Sequence, residues 1–201
     1  MPLSTPAART CLHKRRLSID GFEREDGLYD IEGRIIDTKT YAYESDWHGQ
    51  VEPGTPVHDM QIRLTIDDRL KIHAAEAVTE RSPFPPCHEV APNYEALVGL
   101  TIGPGWTRAL RQRVGSTAGC THITELLNQV ATVAFQTMVK KRQEESAARK
   151  AAGDNKGPAS RPLMIGTCHA LAVDGPVVKQ YWPEYHKPQL SDEASPDTAS
   201  A

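Results

Sequence analysis

The sequence predicts an α+β fold, with an antiparallel β-meander of about three strands packed against a helical layer in a single domain. Three observations carry that prediction. Apolar residues alternate with period two between residues 28 and 74, three prolines then fall within residues 83–86, and an apolar stripe of helical spacing follows Thr121. Alternation marks half-buried strands, prolines stop a sheet, and recurrence at three and four marks a helix.

The first strand is expected over Leu28 to Thr38. Tyr29, Ile31 and Ile35 share one face there, with Gly33 between them and Asp30, Glu32 and Arg34 opposite. A loop from Tyr41 to Pro56 leads to "HDMQIRLTID", where Met60, Ile62, Leu64 and Ile66 alternate with Gln61, Arg63 and Thr65. Asp67, Asp68 and Arg69 suit a tight turn, and Leu70, Ile72 and Ala74 continue the period on the return. After "SPFPPC", a short helix over 92–98 starts well on Pro92. Trp106, Leu110 and Val114 recur every four residues, and Gly115 is a natural stop. From Thr121, the stripe Ile123, Leu126, Leu127, Val130, Val133 and Ala134 predicts an amphipathic helix to about Met138. A charged helix extension and linker occupies about 140–160. The apolar segment "PLMIGTCHALAVDGPVV" then packs back. Residues 1–19 read as a flexible arm, 20–186 as the domain and 187–201 as a disordered tail.

Composition limits the function classes. A net charge of −3 over 201 residues argues against a broad nucleic-acid surface, and the cluster His13, Lys14, Arg15, Arg16 reads as a solvated part of the arm. No run approaches the ~18 apolar residues needed to span a bilayer, so no membrane is expected. The first twenty residues lack the apolar core of a secretory signal, which makes the cytoplasm the expected location. In a reducing compartment Cys11, Cys87, Cys120 and Cys168 are thiols or ligands rather than disulfides. "GLTIGPGW" lacks the glycine order of a dinucleotide loop, and no Walker lysine loop, H-E-x-x-H or EF-hand run occurs.

Three of the four cysteines stand within two positions of a histidine: Cys87 with His88, Cys120 with His122, and Cys168 with His169. Brought together, one donor from each pair makes a soft nitrogen and sulfur pocket suited to zinc, copper(I) or an iron-sulfur cluster. Cys120 is the sharpest position. It precedes a helix whose free amides and positive end stabilise a thiolate, while Gly115 and Gly119 let the chain turn and a ligand approach. His122 and Glu125 share a helix face away from the apolar stripe. Packing roles stand beside these. Cys120 fits as a small hydrophobe at a tight helix entrance, Cys87 as filler beneath the proline segment, Cys168 as a buried thiol, and His58 and Asp59 as turn residues.

The runs "DGLYDIEGRIIDTKTY", "HDMQIRLTIDD", "EAVTERSPFPPC", "LVGLTIGPGWTRALRQRVGSTAGCTHITELL" and the later "CHAL" resemble the bacterial domain-of-unknown-function 2889 family over about residues 20–185. That resemblance implies one shared domain and no stated activity. A fainter one is to iron-sulfur scaffold proteins of the NifU and IscU type. "HDMQIRLTID" is similar to their first motif with Asp59 at the aspartate, "GCTHITELL" to the second at Cys120, and "TCHALAVDGPVV" to the third at Cys168 and His169. His58 stands where that pattern has a cysteine, and the last pair runs Cys-His instead of His-Cys. The expected function is thus a metal or iron-sulfur binding accessory or scaffold-like protein. Its candidate ligands are Asp59, Cys87, Cys120, His122, Cys168 and His169, the cofactor a cluster or zinc, and the partner a metal-recipient protein. A thiol enzyme with Cys120 as nucleophile, and an interaction domain with structural cysteines, are the alternatives.

Overall fold

The computed structural model describes residues 2–153, 161–162 and 164–188. The chain divides into two compact units, one ending at Glu144 and the other beginning at Glu145. The strands are β1 (His13–Glu23), β2 (Tyr29–Lys39), β3 (Tyr43–Ser45), β4 (Gly49–Val51), β5 (Pro56–Ile66) and β6 (Ile72–Arg81). β1, β2, β5 and β6 form one antiparallel sheet in that order, while β3 and β4 make a separate hairpin in the loop between β2 and β5.

The sheet has four strands where about three were expected. The additional one is β1, which starts at His13 inside the stretch read as an arm and pairs along its whole length with β2, from His13 opposite Lys39 to Glu23 opposite Tyr29. It is an edge strand, and Ile19 is its one residue that is not exposed. An edge strand with so little buried surface needs no clean apolar alternation, so its sequence carries a weak strand signal.

The core lies between the sheet and a helix. Tyr29, Ile31 and Ile35 of β2, with Met60, Ile62, Leu64 and Ile66 of β5, face Ile123, Leu126, Leu127, Val130 and Ala134 of a helix over Thr121–Thr137. Gly33 explains how close that helix sits. A Cβ there would come within 2.7 Å of Val130 Cγ2, so a bare backbone is the only one that fits beneath. The β5–β6 turn is held by Asp67, whose Oδ1 accepts the Arg69 and Lys71 amides at 2.9 Å each, and it leaves buried Leu70 with φ at +64°.

The prolines end the sheet as expected. A 3-10 turn over Pro85–His88 and a 3-10 helix over Ala91–Leu97 follow, the second burying Tyr94 and Leu97. Helix α1 (Trp106–Val114) buries Trp106, Leu110 and Val114 and stops at Gly115; Thr121–Thr137 is α2. Helix α3 (Val139–Ala151) is the charged extension and runs across the boundary between the units. In the second unit, α4 (Pro176–Tyr181) buries Val178, and Ile165 is buried as well. Most of the expected tail, residues 189–201, and residues 154–160 of the expected linker lie outside the described residues. No helix among the described residues is long and apolar enough to cross a membrane.

Candidate metal centre

Strand register builds the site. Arg15 of β1 stands opposite Asp37 of β2, which stands opposite His58 of β5, so three polar side chains form one rung across the sheet. Leu17, Ile35 and Met60 form the next rung on the same face. Both rungs therefore lie on the side that carries the core. At this end the β2–β5 and β5–β6 pairings each shift register, between Asp37 and Thr38 and between Asp59 and Met60, the kind of irregularity that re-aims side chains at functional positions. The first turn of α2 brings Cys120, its N-cap, and His122 to the same place.

Asp37 is the hub, 1 % exposed. Its Oδ1 accepts hydrogen bonds from Arg15 Nε at 2.8 Å and from His13 Nε2 at 3.2 Å. Its Oδ2 accepts from Arg15 Nη2 at 2.8 Å and from His58 Nδ1 at 3.0 Å, with His122 Nε2 3.9 Å away. An ionised carboxylate only accepts, so the proton of His58 sits on Nδ1 and its Nε2 keeps a free lone pair. The His58 and His122 rings stack at 3.8 Å between centroids with a 31° tilt. At its other nitrogen, Nδ1, His122 is 3.7 Å from Cys120 Sγ, which in turn touches Met60 Sδ at 3.5 Å. Arg15 also reaches Glu125 Oε2 through Nη1 at 3.4 Å.

The charges settle accordingly. Burial alone would raise the pKa of Asp37, but the Arg15 hydrogen bonds and charge, helped by His58 and His13, hold it down at about 2. Burial lowers His58 below the ordinary histidine value, and the neighbouring His122 adds to the effect against the pull of Asp37. Burial and then Arg15 lower His122 likewise. Both imidazoles are thus neutral at neutral pH and have a lone pair to offer an ion.

Tyr94 fixes the helix entrance. Its hydroxyl accepts the Cys120 amide at 2.9 Å and donates to the Cys120 carbonyl at 2.9 Å, with Thr124 Oγ1 3.2 Å away. The Cys120 side chain makes no capping bond of its own, so a fully buried phenol from the 3-10 helix over Ala91–Leu97 takes that part.

The DUF2889 family, described as protein of unknown function, matches residues 13–136. The chain belongs to that family. No curated protein and no solved structure matches it. The DUF2889 span opens on His13 and closes inside α2, so it contains His13, Arg15, Asp37, His58, Met60, Cys120 and His122 and leaves Cys168 and His169 outside.

Among the described residues, Asp37, His58 and His122 form the group whose donor atoms could share an ion, all within 4.8 Å of one another. Of the residues expected as ligands, His122 is in this group and Cys120 is beside it. Asp59 is not. Strand alternation turns it to the opposite face from His58, where Arg34 clamps both its oxygens at 2.8 and 2.6 Å. Cys87 is half-buried on the 3-10 turn after the sheet and outside the group, and its neighbour His88 lies 3.3 Å from Ser82 Oγ. Cys168 and His169 belong to the second unit, both exposed, Cys168 capping a 3-10 turn over His169–Leu171.

The sequence reading missed Asp37, Arg15, His13, Met60 and Tyr94 as site residues and treated His58 as a turn residue. A signal was present for two of them. Asp37 is in phase with Tyr29, Ile31 and Ile35, and His58 with Met60, Ile62 and Leu64, so each is a polar residue at an inward position of its strand.

Proposed function

We propose that this protein binds one transition-metal ion at the stacked imidazole pair of His58 and His122, with His122 as a ligand. The supporting observation is the convergence of two neutral, half-buried imidazoles from different elements on one buried carboxylate, within 4.8 Å. The pair is pre-ordered, because His58 is fixed by Asp37 and His122 stacks on His58. Each edge of the pair offers a further donor, the Asp37 carboxylate at one and the Cys120 thiol at the other. A single thiol beside an imidazole favours one zinc or copper ion over an iron-sulfur cluster, which is generally held by several thiolates. An accessory or carrier role, with a protein partner or a metal-recipient protein, is part of this proposal. Metal-free protein titrated separately with zinc(II), cobalt(II) and copper(I) is expected to take up one equivalent of at least one of them and to lose that uptake in His122→Ala and His58→Ala. His88→Ala should retain it. Zero uptake of all three ions, or uptake indifferent to His122→Ala, overturns the proposal.

A second reading has its own observation. Cys120 Sγ, His122 and Asp37 follow one another at 3.7 and 3.9 Å through the two nitrogens of the imidazole, the order of a thiol, its base and an orienting carboxylate. Cys120 would then be a nucleophile at a helix start. Iodoacetamide should label Cys120 far faster than Cys87, with His122→Ala abolishing the difference; equal rates exclude this reading.

A further inference from the structure

The imidazole pair has two edges, and they are not equivalent. At the Asp37 edge the carboxylate is already saturated: Arg15 takes both oxygens, His58 and His13 one each. An ion there would meet a guanidinium at hydrogen-bond distance from its own ligand, and like charges so placed repel strongly where water is scarce. The other edge is free of that conflict. His122 Nδ1 faces the Cys120 thiol, and the thiol faces the thioether of Met60, a fully buried side chain.

The spacings there are those of ligands. Two donors bound at about 2.3 Å (sulfur) and 2.0–2.1 Å (nitrogen) across a tetrahedral angle stand about 3.6 Å apart, and two sulfurs about 3.8 Å. The observed separations are 3.7 Å from Cys120 Sγ to His122 Nδ1 and 3.5 Å from Cys120 Sγ to Met60 Sδ. Cys120 Sγ thus stands at ligand spacing from both of the other atoms. Charge then selects the ion. Asp37 and Arg15 cancel, and a thiolate with a neutral imidazole and a neutral thioether carries a single negative charge, so a monovalent cation leaves this half-buried set neutral while a divalent one leaves a net positive charge. Softness selects in the same direction, because a thioether suits copper(I) and is a poor ligand for harder divalent ions.

Resting on the metal-binding proposal above, we infer that the ion is cuprous, bound by Cys120 Sγ, His122 Nδ1 and Met60 Sδ, with Asp37 outside the coordination shell as a positioning residue. Binding exchanges the thiol proton for copper(I) and releases that proton to solvent. His58 holds the second face of the His122 ring while its own Nδ1 stays on Asp37.

The test is an anaerobic titration of full-length, reduced protein with copper(I) against a colorimetric copper(I) chelator, together with a zinc(II) titration. One copper(I) per chain is expected, bound at least a hundredfold more weakly by Cys120→Ser and at least tenfold more weakly by Met60→Leu, while Met60→Leu leaves any zinc affinity unchanged. Met60→Leu nearly conserves volume and should keep the core intact. X-ray absorption of the wild-type copper complex, which needs no variant, should show two sulfur neighbours and nitrogen. One sulfur neighbour, or copper(I) affinity indifferent to Met60→Leu, overturns this inference; if His122→Ala still abolishes binding, the metal-binding proposal stands without it. Uptake of neither ion overturns this inference, and the metal-binding proposal falls with it when cobalt(II) is not taken up either.

Discussion

Replacing Asp37 by Asn tests whether the rung Arg15, Asp37, His58 is a structural keystone of this end of the sheet. The carboxyl is held at about 2 against an ordinary 3.8, so the native protein favours its ionised form by about 2 kcal/mol. The amide keeps the shape but turns an NH2 group toward Arg15 and His58, where only acceptors belong. Arg15 is 38 % exposed on its side chain and recovers hydration once released, which keeps the loss below that of a stranded buried charge. The expected cost at pH 7 is about 2–4 kcal/mol, or about 5–10 °C in Tm for a chain of this size. Urea unfolding of metal-free wild-type and variant protein at pH 7, 5, 4 and 3 measures it. Because the folded value lies below the unfolded one, the wild-type advantage is complete above about pH 5 and declines as pH falls through 3.8 toward 2. Equal stability at pH 7 would refute the reasoning. So would a difference that persists undiminished into acid.

Other predictions address neighbouring parts of the site. Tyr94→Phe removes the hydroxyl that clamps both backbone groups of Cys120 and should cost about 1–3 kcal/mol in unfolding measurements and weaken metal binding, although that hydroxyl bonds the Cys120 backbone and not its thiol. Gly33→Ala forces a methyl against Val130 and Leu126 and should destabilise by about 1–3 kcal/mol, whereas Ala at Gly103, which meets nothing within 4 Å, should be near neutral by the same assay. Both imidazoles have lowered pKa values, so protonating them opposes folding: metal-free protein should gain stability as pH rises from about 5 to 7, and His58→Gln with His122→Gln should flatten that rise in thermal melts.

Much of this architecture was legible in the chain. β2, β5, α1 and α2 are where alternation and helical spacing placed them, within a residue or two, because each buries a continuous face whose period is local information. β1 was not legible, since a mostly exposed edge strand leaves little apolar pattern to read. The candidate site was half legible. Cys120 and His122 drew notice from their place after two glycines at a helix start, but the cysteine-histidine adjacencies pointed as strongly to Cys87 and Cys168, which sequence proximity alone could not rank.

By itself the sequence determined which side of its strand each residue takes. Parity puts Asp37, His58 and Met60 on the same faces as their strands' apolar residues and Asp59 on the opposite one, whatever the neighbours. Only the tertiary structure decided that Arg15, Asp37 and His58 share one rung and that the start of α2 comes down on it. Side-chain alternation is a property of one strand's backbone. Register and helix placement are set by the joint packing of surfaces distant in the chain, such as Gly33 beneath Val130 and the Tyr94 hydroxyl on Cys120, and no local stretch encodes them.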